Sequence, residues 1–254
     1  MEEKVISFLK KLKDHAGKTT ILTGAGISTP SGIPDFRSPH GIYSKYNPEE
    51  LFGLENFLRN PSYFYEFATK YLFTMKNAKP NSVHLMVKVL EDLGLIKGVI
   101  TQNIDMLHEK AGSKNVVNVH GSIKSGHCLK CSRKFSLEEM EKRSLKSEDK
   151  VARCDCGGLI KPDIVFFGEV LPEDDVSLAY KMLEDSTLLI AMGTTLVIYP
   201  VGMFPKIVLD NGGELIIVNK GETAWDAEAS EIYNVSLENF SQEVLNILKR
   251  RGFS

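Results

Sequence analysis

The sequence predicts an α/β protein: a doubly wound, mostly parallel sheet with a smaller domain inserted into it. Three observations carry that expectation. Short apolar, β-rich runs alternate with helical periods through most of the chain, the rhythm of βα units with helices on both faces of a sheet. Several of these runs are apolar throughout, as parallel strands buried on both faces are. Two stretches break the rhythm: residues 43–79 are aromatic-rich and helical in pattern, and residues 123–162 hold every cysteine and the charged patch "EEMEKRSLKSEDK".

In chain order, the N-terminal segment places Val5, Ile6, Leu9 and Leu12 on one helical face. "KTTILTG" (18–24) is the first strand. After the aromatic stretch, "NSVHLMVKVLEDLG" puts Val83, Met86, Val87 and Leu90 on one face, with Gly94 as a stop. "GVITQN" (98–103), "VVNVH" (116–120), "DIVFFG" (163–168), "TLLIAMG" (187–193) and "ELIIVN" (214–219) are read as further strands. The closing "LENFSQEVLNILKR" aligns Phe240, Val244, Ile247 and Leu248 on a helical face. The expected division is a large domain from 1–42, 80–122 and 163–254, with 43–79 and 123–162 as two modules of a small one. A chain of 254 residues suits one large domain carrying an insertion.

Bulk composition removes several function classes. With 43% hydrophobic and 25% charged residues the chain can build a core unaided. A net charge of -2 gives no electrostatic basis for holding nucleic acid by its phosphates. No apolar window is long enough to span a bilayer. The N-terminus is acidic first and amphipathic, unlike a signal or transit peptide, so the expected location is the cytoplasm.

"TGAGISTPSGIPDFRS" (23–38) follows the first strand. Gly24 and Gly26 supply the first two glycines of a dinucleotide loop, where a strand feeding a helix presents backbone N–H groups to a pyrophosphate. Thr29 stands at the third position, and the Asp-Phe-Arg that follows has no counterpart in hydride-transfer loops. A tight turn and a nucleotide loop both account for the glycines. "TQNIDMLH" places Gln102, Asn103 and Asp105 at the carboxyl edge of a strand, where α/β proteins bind ligands; Asp105 also suits a helix N-cap over 105–111. His84 and His108 fall on predicted helices and are read as structural.

Cys128, Cys131, Cys154 and Cys156 are the only cysteines. A tight cluster reads as a zinc site in a reducing compartment and as disulfide pairs otherwise. Four thiolates make a closed, structural site. Gly157 and Gly158 give slack to the short Cys-x-Cys half, and His127 is a spare donor or a surface residue.

Taken together, "GAGIS", "GIPDFRS", "PNSVH", "TQNIDMLHEKAG", "HGS", the paired cysteines, "KPDIVFFGE", "GTTLVIYP" and "IVN" occur in the order found in sirtuins. The chain resembles that family from about residue 18 to 219. The resemblance implies a Rossmann-like domain that binds NAD as a reactant. It assigns Gly24, Ala25, Gly26 and Thr29 to the phosphate and ribose side, and Phe36 and Arg37 to the reacting ribose and nicotinamide. Gln102 meets the ribose, Asn103 orients water or ribose, and Ile104 and Asp105 form the nicotinamide pocket. The resemblance makes His120 the general base, a task that the unperturbed imidazole pKa of about 6.5 suits near neutral pH. Gly193, Thr194, Thr195 and Asn219 contact phosphate or the adenosine ribose. Val165, Phe166, Phe167, Gly168 and Glu169 flank the acyl-lysine and pair with the peptide by strand addition. One structural zinc is implied, with Cys-x-x-C expected where this chain has Cys154-x-Cys156.

The implied activity is NAD-dependent protein lysine deacetylation, an acyl transfer. The acetyl carbonyl oxygen attacks the ribose C1′, nicotinamide leaves, and the products are free lysine and 2′-O-acetyl-ADP-ribose. Members that remove acidic acyl groups carry Tyr-x-x-Arg where this chain has Ala68 and Tyr71, so neutral acyl groups are expected. The partner is an acetyl-lysine protein or peptide, with neither nucleic acid nor membrane. Mono-ADP-ribosyl transfer, a non-catalytic NAD or ADP-ribose binding module, and a hydride-transfer dehydrogenase are the rival readings.

Overall fold

The computed structural model describes residues 1–250; the last four residues of the 163–254 segment lie outside the described residues. Helix α1 (Glu2–Asp14) turns Val5, Phe8, Leu9 and Leu12 inward and leads to β1 (Thr19–Thr23), buried at every position. The aromatic stretch folds as α2 (Pro48–Phe52), α3 (Leu54–Arg59) and α4 (Pro61–Phe67). Pro48 and Pro61 start two of them, at a position that needs no N–H. Helix α5 (Ser82–Asp92) is capped by Asn81 and is followed by Gly94 at φ +66. Then come β2 (Gly98–Thr101), α6 (Leu107–Ala111) and β3 (Val116–Asn118).

The cysteine-bearing stretch contributes β4 (Gly121–Cys128), β5 (Lys134–Ser136), α7 (Leu137–Lys146) and β6 (Ile160–Ile164). Ser136 and Glu139 close a reciprocal cap at the start of α7. The chain ends with α8 (Glu173–Glu184), β7 (Leu188–Met192), α9 (Phe204–Asp210), β8 (Glu214–Val218), β9 (Glu231–Tyr233) and α10 (Leu237–Arg250). No helix among the described residues is long and apolar enough to cross a membrane.

Among the described residues the strands form two sheets. The larger has the order β3-β2-β1-β7-β8-β9, and every pairing in it is parallel. Chain progress therefore reverses direction between β1 and β7, which opens a crevice at their carboxyl ends. Alternate strand residues feed opposite faces. Ile21, Val99, Ile190 and Ile216 pack with α1, α5 and α10, while Leu22, Ile100, Leu189 and Ile217 pack with α8 and α9. The doubly wound arrangement is thus met, with all six strands parallel.

The smaller sheet, β5-β4-β6, is antiparallel and shares one apolar cluster with α2–α4. Phe57, Phe64 and Phe166 form its centre, with ring centroids 5.1–5.3 Å apart. Fully burying each such ring contributes about 1.5–3 kcal/mol. The Tyr65 hydroxyl donates to Ile160 O at 2.5 Å, tying α4 to β6.

Two readings are corrected here. "DIVFFG" (163–168) is not a strand of the parallel sheet: β6 ends at Ile164 and pairs with β4. Pro162 lacks an N–H and sits on this edge strand, where none is needed, and Gly168 at φ +93 bends the chain away. Nor does the Gly24-x-Gly26 turn feed a long helix. Two single 3-10 turns, Ala25–Ile27 and Thr29–Ser31, follow it, because Pro30, Gly32 and Pro34 interrupt any longer helical run. His84 and His108 are fully buried, ring to ring at 5.0 Å, which bears out their structural reading.

At the crevice the loops after β1 and β7 touch backbone to backbone. A Cβ on Gly24 meets Thr194 Cβ at 2.8 Å, one on Gly26 meets Gly193 Cα at 2.9 Å, and one on Gly193 meets Ile27 N at 2.7 Å. Gly193 also sits at φ +62, where a Cβ is strained. Gly193→Ala should therefore lower unfolding free energy by about 1–3 kcal/mol. Urea denaturation checks this, and an unchanged midpoint contradicts it.

Candidate active site

The carboxyl ends of β1, β2, β7 and β8 open onto a cleft of about 1640 Å³. Every residue assigned above to catalysis, cofactor or substrate lines it. Gly24, Ala25, Gly26 and Thr29 come from the loop after β1, with Phe36 and Arg37 beyond. Gln102, Asn103, Ile104 and Asp105 follow β2, and His120 follows β3. Val165, Phe166, Phe167, Gly168 and Glu169 follow β6, Gly193, Thr194 and Thr195 follow β7, and Asn219 follows β8.

The N–H groups of the two loop glycines already have partners. The Gly24 and Gly26 N–H groups donate to Met192 O and Gly193 O, at 3.1 and 2.9 Å. They are engaged with the neighbouring strand and loop, so the glycines supply close approach rather than free donors.

A polar network forms the floor. The Asn103 amide donates to Gly24 O and to Ser28 Oγ, both at 3.1 Å. Both of its hydrogens point into the protein, so its carbonyl oxygen is what it offers the cleft. Ser28 Oγ donates to Asp105 Oδ2 at 2.6 Å, and Asp105 Oδ1 accepts from the Leu107 N–H at 2.9 Å. Asp105 therefore holds the first residue of α6, whose N-cap position is Met106, and lines the cleft at once. Burial holds its carboxyl above the usual range, while the bonds from Ser28 and Leu107 pull it back. Gln102 Nε2 donates to Thr194 Oγ1 at 3.0 Å, linking the ends of β2 and β7.

His120 is oriented by Gln102, whose carbonyl lies 3.1 Å from Nδ1. A carbonyl only accepts, so Nδ1 carries the proton and the neutral ring keeps a lone pair on Nε2. Burial pushes its pKa below the ordinary value. The Gln102 bond pulls it partly back, and the Arg37 charge lowers it further. A neutral imidazole with one bound tautomer is what a general base requires.

The rim is aromatic. Phe36 lies 5.3 Å from Tyr43 and 5.9 Å from Phe52, centroid to centroid. The Arg37 guanidinium stands 5.4 Å from the Tyr43 ring, a cation–π distance. Phe166 is buried in the aromatic cluster, whereas Phe167 is exposed. Ala68 is buried and Tyr71 packs on Phe67 at 5.0 Å. Sequence reasoning missed Ser28, Tyr43 and Phe52. Ser28 was within reach, being the last residue of "GAGIS" and the hydroxyl nearest the polar strand end.

The four cysteines converge on one point: their sulfurs all lie within 4.8 Å of one another. Cys128 and Cys156 are 3.5 Å apart, and Cys131 and Cys154 are 3.6 Å apart. Both separations are far beyond a disulfide bond. They approach the edge of about 3.8 Å that a tetrahedron with zinc–sulfur bonds near 2.3 Å has. The short Cys154-x-Cys156 half closes because Gly157 adopts φ +79 and Gly158 leaves room beside Cys128 Sγ, which a Cβ would meet at 2.6 Å. The Lys130 N–H points to Cys128 Sγ at 3.4 Å, a backbone donor toward a thiolate. Asp155, between the two cysteines, faces outward to Arg133 and Arg143 at 2.7 and 2.8 Å. His127 stays outside the cluster, 2.7 Å from Asp163.

Comparison with known proteins follows the same lines. The Sir2 family model matches residues 24–200. The NAD-dependent protein deacetylase of Thermotoga maritima is 45% identical over 234 residues, 92% of this chain and 94% of that one. A solved Sir2 complex with a p53 peptide and NAD superposes with a TM-score of 0.88 at 42% identity, covering 98% of each chain. A histidine-to-alanine Sir2 variant with deacetylated p53 peptide and 3′-O-acetyl-ADP-ribose gives 0.92 at 43% identity, covering 98% of this chain and 99% of that one.

The cysteine geometry sets one expectation. Purified protein should carry about one zinc per chain, read by elemental mass spectrometry. Cys156→Ser should lose most of the metal and lower the melting temperature. Full zinc retention in the variant contradicts a four-thiolate site.

Proposed function

Since the chain belongs to the Sir2 family, we propose that it is an NAD-dependent protein lysine deacetylase whose base is His120. The observation that carries the reading is the single cleft in which a neutral His120, with Nε2 free to accept a proton, meets the Asn103–Ser28–Asp105 network and two glycine loops. NAD is a substrate in this reading: its nicotinamide–ribose bond breaks when the acyl oxygen attacks C1′.

Each side chain then has a task its surroundings suit. Asp105 receives the carboxamide of nicotinamide, and Asn103 orients water or ribose through its carbonyl oxygen. Gln102 and Thr194 hold the ribose side, while Phe36 and Arg37 close over the reacting end. Gly24, Ala25, Gly26, Thr29, Ile104, Gly193, Thr195 and Asn219 complete the NAD site. His120 takes a proton from the ribose hydroxyls, after which the 2′-oxygen attacks the imidate carbon; water then adds there, and the bonds from that carbon to the lysine nitrogen and to the C1′ oxygen break, releasing free lysine and 2′-O-acetyl-ADP-ribose. Residues 165–169 receive the acyl-lysine peptide. Ala68 and Tyr71 place no arginine against the acyl group, which supports acetyl and other neutral acyl substrates over acidic ones, since a carboxylate needs a charged partner there.

The cysteine cluster is read as a structural zinc that holds the small module and takes no part in the chemistry. The division into a large domain of 1–42, 80–122 and 163–254 and a small one of 43–79 and 123–162 belongs to this reading, as does a cytoplasmic location.

The test is mass spectrometry of an acetyl-lysine peptide with and without NAD. Acetyl loss only with NAD, with O-acetyl-ADP-ribose formed and the rate at least about 100-fold lower in His120→Ala, is the expected outcome. Nicotinamide release with acetyl retained would point instead to ADP-ribosyl transfer. The pH profile adds a second check. The base form of His120 is present above its folded pKa and lost as pH falls through it. That pKa is depressed, so the acid limb should lie below about pH 6.5. An acid limb above that value contradicts the assignment.

A further inference from the structure

Lys161 is an ammonium placed where an apolar side chain would fit more cheaply. It is only 4% exposed. Its Nζ donates to Ile164 O at 2.8 Å and Pro162 O at 3.2 Å, and lies 2.9 Å from Glu169 Oε2. Three N–H groups thus meet three oxygens, and the Phe166 ring stands 4.4 Å away as a fourth partner. The same Glu169 oxygen accepts the Phe166 N–H at 2.8 Å. Glu169 is therefore turned inward to the loop's own backbone.

An ion pair with one buried partner seldom adds net stability, because desolvation of the buried ammonium offsets the attraction. What this one does is shape the chain. Lys161 reaches from β6 across the bend to Glu169, and residues 164–169 line the cleft. Other bonds hold the same segment from outside. Val165 N–H donates to His120 O at 2.9 Å, Phe167 N–H to Phe52 O at 2.7 Å, and Leu54 N–H to Phe167 O at 3.1 Å. The phosphate-side loops belong to β1, β7 and β8 and are not touched by this clasp.

We propose that Lys161, through Glu169, is a positioning residue for the acyl-lysine peptide: it fixes the curvature of residues 164–169 and thereby sets peptide affinity separately from NAD affinity. This rests on the deacetylase reading. Displacement of a binding segment by about 1 Å can cost up to 100-fold in productive binding.

The experiment measures KM for an acetyl-lysine peptide, KM for NAD, and kcat, in wild type, Lys161→Met, Lys161→Arg, Glu169→Gln and the Lys161→Met/Glu169→Gln double variant. Lys161→Met and Glu169→Gln should each raise the peptide KM about tenfold, with the NAD KM changed less than about twofold. The double variant should be no worse than the poorer single one, because both break one clasp. Lys161→Arg, which keeps the charge, should recover most of the peptide KM. Unchanged peptide KM in Lys161→Met and Glu169→Gln, or equal rises for peptide and NAD, overturns the proposal. If Lys161→Met fails to fold, as its melting curve would show, Glu169→Gln decides by the same criterion. Failure of the wild type to deacetylate overturns the function reading itself, which these variant ratios leave separate.

Discussion

The close approach of the loops after β1 and β7 is the constraint on which the rest depends. Their backbones meet across Gly24, Gly26 and Gly193 with no space for a Cβ on any of the three. The contact falls where the strand order reverses, so two loops that would otherwise splay apart form one continuous wall. Cross-bonds reinforce it: Gly26 N–H to Gly193 O, and Gln102 to Thr194 from the adjoining strand. The wall sets where β2 can deliver its polar end, and so where Asn103 and Asp105 stand.

On that wall, charge and proton positions follow from burial and bonding. Ser28 ties Asn103 to Asp105, and a backbone carbonyl selects the His120 tautomer. His120 O in turn accepts from Val165 N–H, so His120 and the loop after β6 are tied together. Backbone bonds join these segments here, as does the Phe36–Phe52–Phe166 series of ring contacts.

Much of this was legible in the residues themselves. Strands apolar on both sides announced the parallel sheet, and Val83, Met86, Val87 and Leu90 announced the buried face of α5. That these residues line one cleft was legible because their motifs sit at strand ends, where local spacing and the ligand edge coincide. Less legible was anything settled by distant contacts. "DIVFFG" has the composition of a central strand, yet β6 ends at Ile164 and pairs with β4, and the residues after it line the cleft. Nor did the Gly24-x-Gly26 motif reveal that its N–H groups donate to Met192 O and Gly193 O, contacts from strands distant in sequence. Cys154-x-Cys156 looked short for a metal half-site; the slack expected of Gly157 and Gly158 takes the form of a left-handed Gly157 and a Gly158 with no side chain beside Cys128 Sγ.

The central claim is that the cleft brings the acyl oxygen of the peptide directly onto C1′ of the NAD ribose. An acetyl-lysine peptide labelled with ¹⁸O in the acetyl carbonyl tests it most directly. Direct attack predicts that the label leaves the peptide on the ribose C1′ hydroxyl of the acyl-ADP-ribose product and stays there after the ester is hydrolysed. Label recovered in acetate, with none on the ribose, would mean that water cleaves the amide without that attack, and would contradict the account.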